Sequence, residues 1–172
     1  MKTFITVALL TLMLALPSAT SVRAQENQKA DADATFLTKV IHAIAASVKI
    51  IDYAAKNASD EKVRDFAERV AKQHEESVKT ATGHAKRLKI AVASDPDKDS
   101  KEMIDKLSKL KGIDVDVAFL KWLSRIHEDT TVFDNEVKNG ADAELKTYAK
   151  NSITAGNEHL KEARALLAKL KK

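Results

Sequence analysis

Apolar residues recur at helical spacing in four long stretches, and this pattern limits the fold more than any other feature of the chain. The stretches begin near Asp33, Asp60, Asp114 and Asp142, and the last reaches Leu170. The chain has only 4 glycines and 2 prolines, which argues against a β protein with many turns. The predicted fold class is all-α.

The connections between these stretches predict how the helices are arranged. Two are short turns, at residues 57–59 and 139–142, whereas the middle connection, from about Ile90 to Gly112, is long enough to run the length of a helix. It contains a short amphipathic helix of its own, from about Lys101 to Leu110. This order predicts a ferritin-like four-helix bundle with a short extra helix in the middle crossover. A short return of the connection to the same end of the bundle is the alternative.

The N-terminus has the pattern of a signal peptide. Lys2 supplies a positive charge, Phe4–Leu16 is a run of apolar residues and threonines too short for a stable membrane span, and residues 22–24 include small residues typical of a cleavage site. The predicted domains are a removed signal peptide over 1–24, a flexible leader over 25–32 and a helical domain over 33–172. The protein is therefore expected to be exported, and to be periplasmic, associated with the outer membrane, or secreted.

Composition excludes several classes of site and partner. The chain has no cysteine, so disulfides, thiolate metal sites, covalently attached haem and cysteine nucleophiles are absent. The net charge of +4 includes Lys2 and Arg23, so the chain after residue 24 carries about +2, evenly mixed, which argues against a nucleic-acid partner. No second long apolar run follows to predict a transmembrane anchor. A homo-oligomer or an envelope protein partner remains open.

The chain also looks like two copies of one helical hairpin. Residues Asp33–Leu37 correspond to Asp116–Leu120, and Lys62–Ala67 correspond to Glu144–Ala149. Either a duplication or the shared pattern of amphipathic helices accounts for this similarity. In both cases the two hairpins are expected to pack face to face.

Three of the five histidines lie on or beside apolar helix faces. His74 is near the centre of the second helix's apolar face, His159 lies within that of the fourth helix, and His127 lies on the shoulder of the third. One interpretation is that these are neutral core histidines bonded to polar neighbours. The other is a metal site formed by His74, His127 and His159 and completed by Asp134.

Other chemistries have little support in the sequence. The two-metal site of helical bundles needs Glu-x-x-His on two helices, but Ala71 and Gly156 stand three residues before His74 and His159. No phosphate-binding loop, dinucleotide fingerprint, zinc-protease motif or nucleophile elbow occurs. The sequence therefore indicates no catalytic residue, and it argues against an enzyme. No cofactor is expected beyond a transition metal at the histidines, although a haem held by two histidines stays geometrically open.

Four motifs occur in a fixed order along the chain. They are Phe66-Ala-x-x-Val-x-x-x-His74, Leu107-x-x-Leu110-x-Gly112, Asp116-x-x-Phe119 leading to His127, and Glu158-His159-Leu160. Their order resembles the bacterial domain-of-unknown-function 4142 family, which consists of secreted or envelope proteins with a ferritin-like helical fold. The resemblance covers almost all of the chain after the signal peptide, and it implies that His74, Asp116, His127 and His159 match family features.

The chain departs from that family in the first helix. Relatives typically carry a glutamate near the positions of Ser47 and Lys49 here. A metal site that depended on this carboxylate would lack it in this chain. The family has no settled activity, so the resemblance implies fold and export but no reaction.

Together these features predict an exported, non-catalytic helical-bundle protein of the cell envelope, with a role in binding, stress response or interaction. The alternative is a metal-binding ferritin-like protein that uses its buried histidines.

Overall fold

The computed structural model describes residues 19–92 and 98–170. These residues form six helices and no strand, so the all-α prediction is confirmed for the described part of the chain. The helices are α1 (Ala19–Asn57), α2 (Glu61–Arg87), α3 (Lys98–Ser108), α4 (Ile113–Glu128), α5 (Thr131–Asn139) and α6 (Ala143–Leu170). Most of the predicted signal peptide, residues 1–18, lies outside the described residues.

Helix α1 begins earlier than the apolar pattern predicts. It starts at Ala19 rather than near Asp33, so it includes the segment 25–32 that was predicted to be a flexible leader. Residues 24–30 are mostly Ala, Gln, Glu and Lys, which favour helix and contain no breaker. The segment Asp31–Asn57 is also long and apolar enough to cross a membrane by length and composition, with a mean hydropathy of 1.5 in its most apolar window. Core helices of soluble proteins have the same properties, and α1 contributes Phe36 and Leu37 to the core.

The third predicted helix is interrupted. Helix α4 ends at Glu128 and α5 begins at Thr131, with Asp129 in an extended conformation between them. The Asp129 side chain accepts a hydrogen bond from the backbone N–H of Thr131 at 3.1 Å. Short polar side chains of this kind compete with helical hydrogen bonds, which explains a break inside a continuous apolar pattern.

Two buried aspartates each hold the turn of the opposite hairpin. Asp116, at the start of α4, accepts hydrogen bonds from the backbone N–H groups of Ser59 and Asp60 at 2.7 and 2.9 Å, in the turn between α1 and α2. Asp33, in α1, accepts from the N–H groups of Ala141 and Asp142 at 2.7 and 3.2 Å, in the turn between α5 and α6. Each aspartate therefore ties one hairpin to the other.

The helices that follow these turns also begin in the same way. Asp60 caps α2 by accepting from the N–H of Val63, and Asp142 accepts from that of Leu145. Ser59, the residue before Asp60, does not cap α2, because its hydroxyl donates to Asp116. These equivalent bonds occur at positions that correspond in the two halves, which supports a duplicated hairpin over a chance likeness of amphipathic helices.

The two turns lie at opposite ends of the molecule. The start of α4 meets the α1–α2 turn through Asp116, whereas the end of α2 meets the α5–α6 turn, where Arg87 pairs with Asp142 at 2.6 Å. The end of α2 and the start of α4 therefore lie at opposite ends of the molecule, and α3, between them in the sequence, packs against α1 and α4.

One further buried carboxyl group, beside Asp33, is not part of the hydrogen bonds that hold the two turns. Glu136 on α5 is 0% exposed, and neither of its oxygens is in hydrogen-bonding geometry with a described residue. Burial and the nearby Asp33 carboxylate raise the pKa of Glu136 to about 7. The end of the molecule that contains the α5–α6 turn therefore holds a carboxyl group that titrates near neutral pH.

The core consists of two apolar clusters, one towards each end. Towards the α1–α2 turn the cluster includes Ile51, Val63, Phe66, Phe119, Leu120, Leu123 and Leu166. Towards the α5–α6 turn it includes Phe36, Leu37, Val40, Ala81, Leu145, Tyr148 and Ala149. Residues 45–50 of α1, 72–80 of α2 and 150–162 of α6 belong to neither cluster, and the polar residues described next lie in this middle layer.

Candidate metal centre

Three histidines from three different helices meet in the middle layer. His74 comes from α2, His127 from α4 and His159 from α6, and one ring nitrogen of each lies within 4.8 Å of the others. Their ring centroids are 5.0 to 5.6 Å apart. His74 and His159 are 8% and 7% exposed, and His127 is partly buried. The structure therefore brings together the three histidines that the sequence selects.

His74 and His159 lie at different distances from the turns that precede their helices, yet they reach the same level because the two turns are at opposite ends of the molecule. His74 lies about 20 Å along α2 from the α1–α2 turn, and His159 about 24 Å along α6 from the α5–α6 turn, at about 1.5 Å per residue. Helix α2 has 27 residues and is about 40 Å long. Because the two distances are measured from opposite ends, their sum is close to this length and both side chains reach the same level.

Ser47 fixes the orientation of His74. The Ser47 hydroxyl donates to the carbonyl of Ile44 at 2.7 Å and lies 2.7 Å from Nδ1 of His74. Since its single proton is used on Ile44, the Ser47 oxygen accepts from His74 Nδ1–H. The proton is then on Nδ1, and Nε2 of His74 keeps a free lone pair for a metal.

Gln73 fixes His159 in a comparable way. Its side-chain oxygen lies 2.5 Å from Nε2 of His159, so that nitrogen carries the proton and donates. Nδ1 of His159 is then the free acceptor, and it lies 3.3 Å from Nε2 of His127. In the metal-free protein this pair forms a hydrogen bond between the two imidazoles.

The same 3.3 Å spacing fits a metal ion. Two nitrogens bound to a tetrahedral ion at about 2.05 Å are separated by about 3.3 Å. His127 and His159 therefore already have the spacing of two ligands, and the His74 nitrogen has to close from at most 4.8 Å.

The site holds its histidines in the neutral form that binds metals. Burial, together with the smaller effects of the neighbouring His127 and His159, lowers the pKa of His74 to about 3. Burial also lowers the pKa of His127 to about 4 and lowers that of His159. These neutral side chains release no net proton when a metal binds near neutral pH, but the proton that His127 Nε2 donates to His159 has to move to Nδ1 of His127.

A glycine on α6 makes room for His127. A Cβ added to Gly156 would lie 3.0 Å from Nδ1 of His127, closer than ordinary van der Waals contact. Gly156 thus lets the imidazole lie directly against the α6 backbone. The sequence singled out Gly156 only as the position where a two-metal site would need glutamate.

Two other residues selected from the sequence lie elsewhere. Asp134 on α5 is exposed and accepts a hydrogen bond from the Thr130 hydroxyl at 2.6 Å, and it is not part of the histidine cluster. Asp116 holds the α1–α2 turn. The resemblance therefore marks Asp116 correctly as a distinctive position, but its hydrogen bonds are structural.

Ser47 and Gln73 are the residues of the site that sequence reasoning missed. Ser47 was noted only because relatives typically have a glutamate near it. Its contact with His74 depends on how α1 is aligned against α2, which periodicity does not give. No pattern in the sequence marks Gln73, which is largely exposed.

The donor set suits a single transition-metal ion. Three imidazole nitrogens without a carboxylate in the described cluster match the preferences of Zn²⁺, Cu²⁺, Co²⁺ or Ni²⁺. The rings surround one point, which favours a single ion over a haem whose plane must pass between two ligands. With three protein ligands, a tetrahedral ion keeps one position for water or another ligand.

Comparison with known proteins agrees with the family expectation. No curated protein and no solved structure matches the chain significantly. The family profile described as "Domain of unknown function (DUF4142)" matches residues 18–166, which is most of the chain. The chain therefore belongs to the DUF4142 family.

Proposed function

We propose that this protein is an exported, ferritin-like four-helix bundle that binds one divalent transition-metal ion between His74, His127 and His159. The observation that carries the proposal is the convergence of three imidazole nitrogens within 4.8 Å of one another in a buried layer. Hydrogen bonds from the other ring nitrogens of His74 and His159 support it, because ligating histidines are usually oriented in this way.

The bundle is supported by how the helices pack. Helix α1 packs against α2, and α6 packs against α4 and α5, so the interrupted pair α4–α5 takes the place of one long helix. The crossover from α2 to α4 is the connection found in ferritin-like folds. The helical domain proposed from the sequence, over 33–172, contains α2 to α6 and the part of α1 from Asp33 onward.

A binding role fits the site better than catalysis by side chains. The titratable side chains in the cluster are the three imidazoles themselves, and they serve as ligands. The protein would hold or deliver a metal in the cell envelope, as a non-catalytic binding protein. Copper(II) is expected to bind more tightly than zinc(II), from the general order of divalent affinities.

Metal binding is tested on the purified protein after chelation. We expect one equivalent of Zn(II) or Cu(II) by calorimetric titration and elemental analysis, with a higher melting temperature in the loaded protein. His74→Ala and His127→Ala should abolish both effects. His84→Ala is the matched control, because His84 lies on α2 with His74 but outside the cluster.

The proposal is wrong if the wild type binds no metal stoichiometrically, or if His84→Ala reduces binding as much as His74→Ala. In that case the three histidines are core hydrogen-bonding groups. Export is tested separately, by the mass of the protein recovered from a periplasmic extract. Removal of residues 1–24 is the expected result, and an intact N-terminus would contradict it.

A further inference from the structure

A cavity of about 530 Å³ lies beside the three histidines. Its lining extends from Ala43 to Ile50 on α1, from Gln73 to Thr80 on α2, and from Tyr148 to His159 on α6. These spans correspond to about 10 Å along α1 and α2 and about 16 Å along α6. The cavity is therefore elongated parallel to the helices, and its volume is within the range of small-molecule sites.

The two ends of the cavity differ in chemistry. The histidines lie at one end, with Trp122 among the lining residues there. Towards the other end, the hydroxyl groups of Ser77 and Tyr148 lie 2.7 Å apart and form a hydrogen bond with each other. Between the ends, aliphatic and small side chains line the walls, including Ile44, Ala46 and Ala155. A ligand in this space would meet a polar head site and an apolar channel.

The charge of the metal-loaded site determines which chemical group of a ligand can bind to the metal. A divalent ion on three neutral imidazoles keeps its full positive charge. Among the described residues that line the cavity, Glu76 is the only carboxylate, and it is exposed and paired with Lys79 at 2.6 Å. No lysine or arginine among the described lining residues competes for an anion. The metal's remaining position would therefore favour an anionic oxygen ligand.

Resting on the proposed metal site, we propose that this cavity binds a small organic monocarboxylate with an apolar body, such as a medium-chain fatty acid. The carboxylate would occupy the metal's open position, and the hydrocarbon would lie along the channel between α1, α2 and α6. The mostly apolar lining of the channel, which holds Asn151 and Ser152 but no charged residue between its ends, disfavours a second charge on the ligand and so argues against dicarboxylates and amino acids.

The test uses the full chain loaded with Co(II) and three probes. Octanoate has both the carboxylate and the hydrocarbon chain, acetate has the carboxylate without the chain, and octan-1-ol has the chain without the charge. The visible absorption of Co(II) reports a new ligand on the metal. The fluorescence of Trp122, which is the only tryptophan in the chain, reports filling of the cavity.

We expect octanoate to change both signals and to bind at least 10-fold more tightly than acetate or octan-1-ol. The metal-free protein should bind octanoate at least 10-fold more weakly. Ala46→Leu narrows the channel without touching a histidine, so it should weaken octanoate at least 10-fold and leave Co(II) affinity within twofold. His84→Ala should change neither.

The outcomes separate the two proposals. If Co(II) does not bind the wild type, the metal site and the ligand proposal are both wrong. If Co(II) binds but octanoate leaves its spectrum unchanged, or binds no better than acetate or octan-1-ol, the metal site stands and the monocarboxylate is wrong. Octanoate binding equally to metal-free protein would also overturn the inference.

Discussion

Replacing Gly156 by alanine tests whether the position of His127 controls metal binding. The new Cβ would lie 3.0 Å from Nδ1 of His127, 3.7 Å from Cγ and 3.8 Å from Cε1. Ordinary contact begins at 3.4 Å, so the ring has to move by about 0.4 Å. Distances in metal sites vary by only about 0.2 Å, so this movement takes His127 out of ligand geometry.

The expected effect is a loss of metal affinity of about 10- to 100-fold, as found when the groups that position a ligand are changed. This corresponds to about 1.4 to 2.7 kcal/mol of binding free energy. At a fixed metal concentration well above the dissociation constant, a 10-fold loss lowers the metal-induced rise in melting temperature by about 3 to 6 °C.

Gly83→Ala is the matched control. Gly83 is also inside a helix but is exposed, and a Cβ there meets no atom within 4 Å. Both substitutions gain about 0.5 to 1 kcal/mol of helix stability from replacing glycine, so their difference isolates the contact with His127. Calorimetric titration with Zn(II) gives the affinities, and thermal unfolding gives the stability of the metal-free forms. Equal Zn(II) affinity in wild type, Gly156→Ala and Gly83→Ala would refute the reasoning.

Three further predictions concern stability of the metal-free protein, measured by urea unfolding. Asp116→Asn should lower the free energy of unfolding by about 2 to 4 kcal/mol, because it disrupts three hydrogen bonds to a buried carboxylate. Asp114→Asn, at an exposed neighbouring position, should change it little, and similar losses in both variants would contradict the role of Asp116 in holding the α1–α2 turn. The pKa of Glu136 is raised to about 7 from 4.5, so the folded state binds the extra proton and stability falls as the pH rises through 7. Glu136→Gln should therefore gain about 1 to 3 kcal/mol over wild type at pH 8 but not at pH 4.5, whereas the exposed Glu68→Gln should show no such difference. The pKa of His74 is lowered to about 3, so the unfolded chain binds more protons and stability falls as the pH drops below 6.5. By pH 4.5 this fall should be about 1 to 3 kcal/mol larger in wild type than in His74→Gln, and parallel pH profiles would count against a buried neutral imidazole.

Helical periodicity was sufficient for the fold class but not for the course of every helix. The apolar pattern continues through Phe133 and Val137, so it gave no sign of the break at Asp129. The break depends on the Asp129 side chain, which accepts a hydrogen bond from the backbone N–H of Thr131. Such a local hydrogen bond is a weaker sequence signal than the apolar pattern around it. The early start of α1 is also a local effect, but one that lengthens a helix: residues 24–30 favour helix and extend α1 beyond the segment that has an apolar face.

The site was predictable in its residues but not in its assembly. His74 and His159 stand out because a histidine on an apolar helix face is uncommon, and that signal is local. Their meeting with His127 depends on how α2 and α4 are placed relative to each other, for which the sequence left two alternatives. Asp134, which the sequence grouped with the histidines, is exposed on α5 and accepts a hydrogen bond from Thr130.

X-ray absorption of the zinc-loaded protein tests the central claim most directly, because it reports the ligands of the metal itself. The account predicts one bound Zn(II) with three imidazole nitrogens at about 2.0 to 2.1 Å and one oxygen ligand, such as water. The imidazole signal should be lost in His127→Ala and kept in His84→Ala. A coordination shell made mainly of oxygen, or one unchanged in His127→Ala, would contradict a metal centre at His74, His127 and His159.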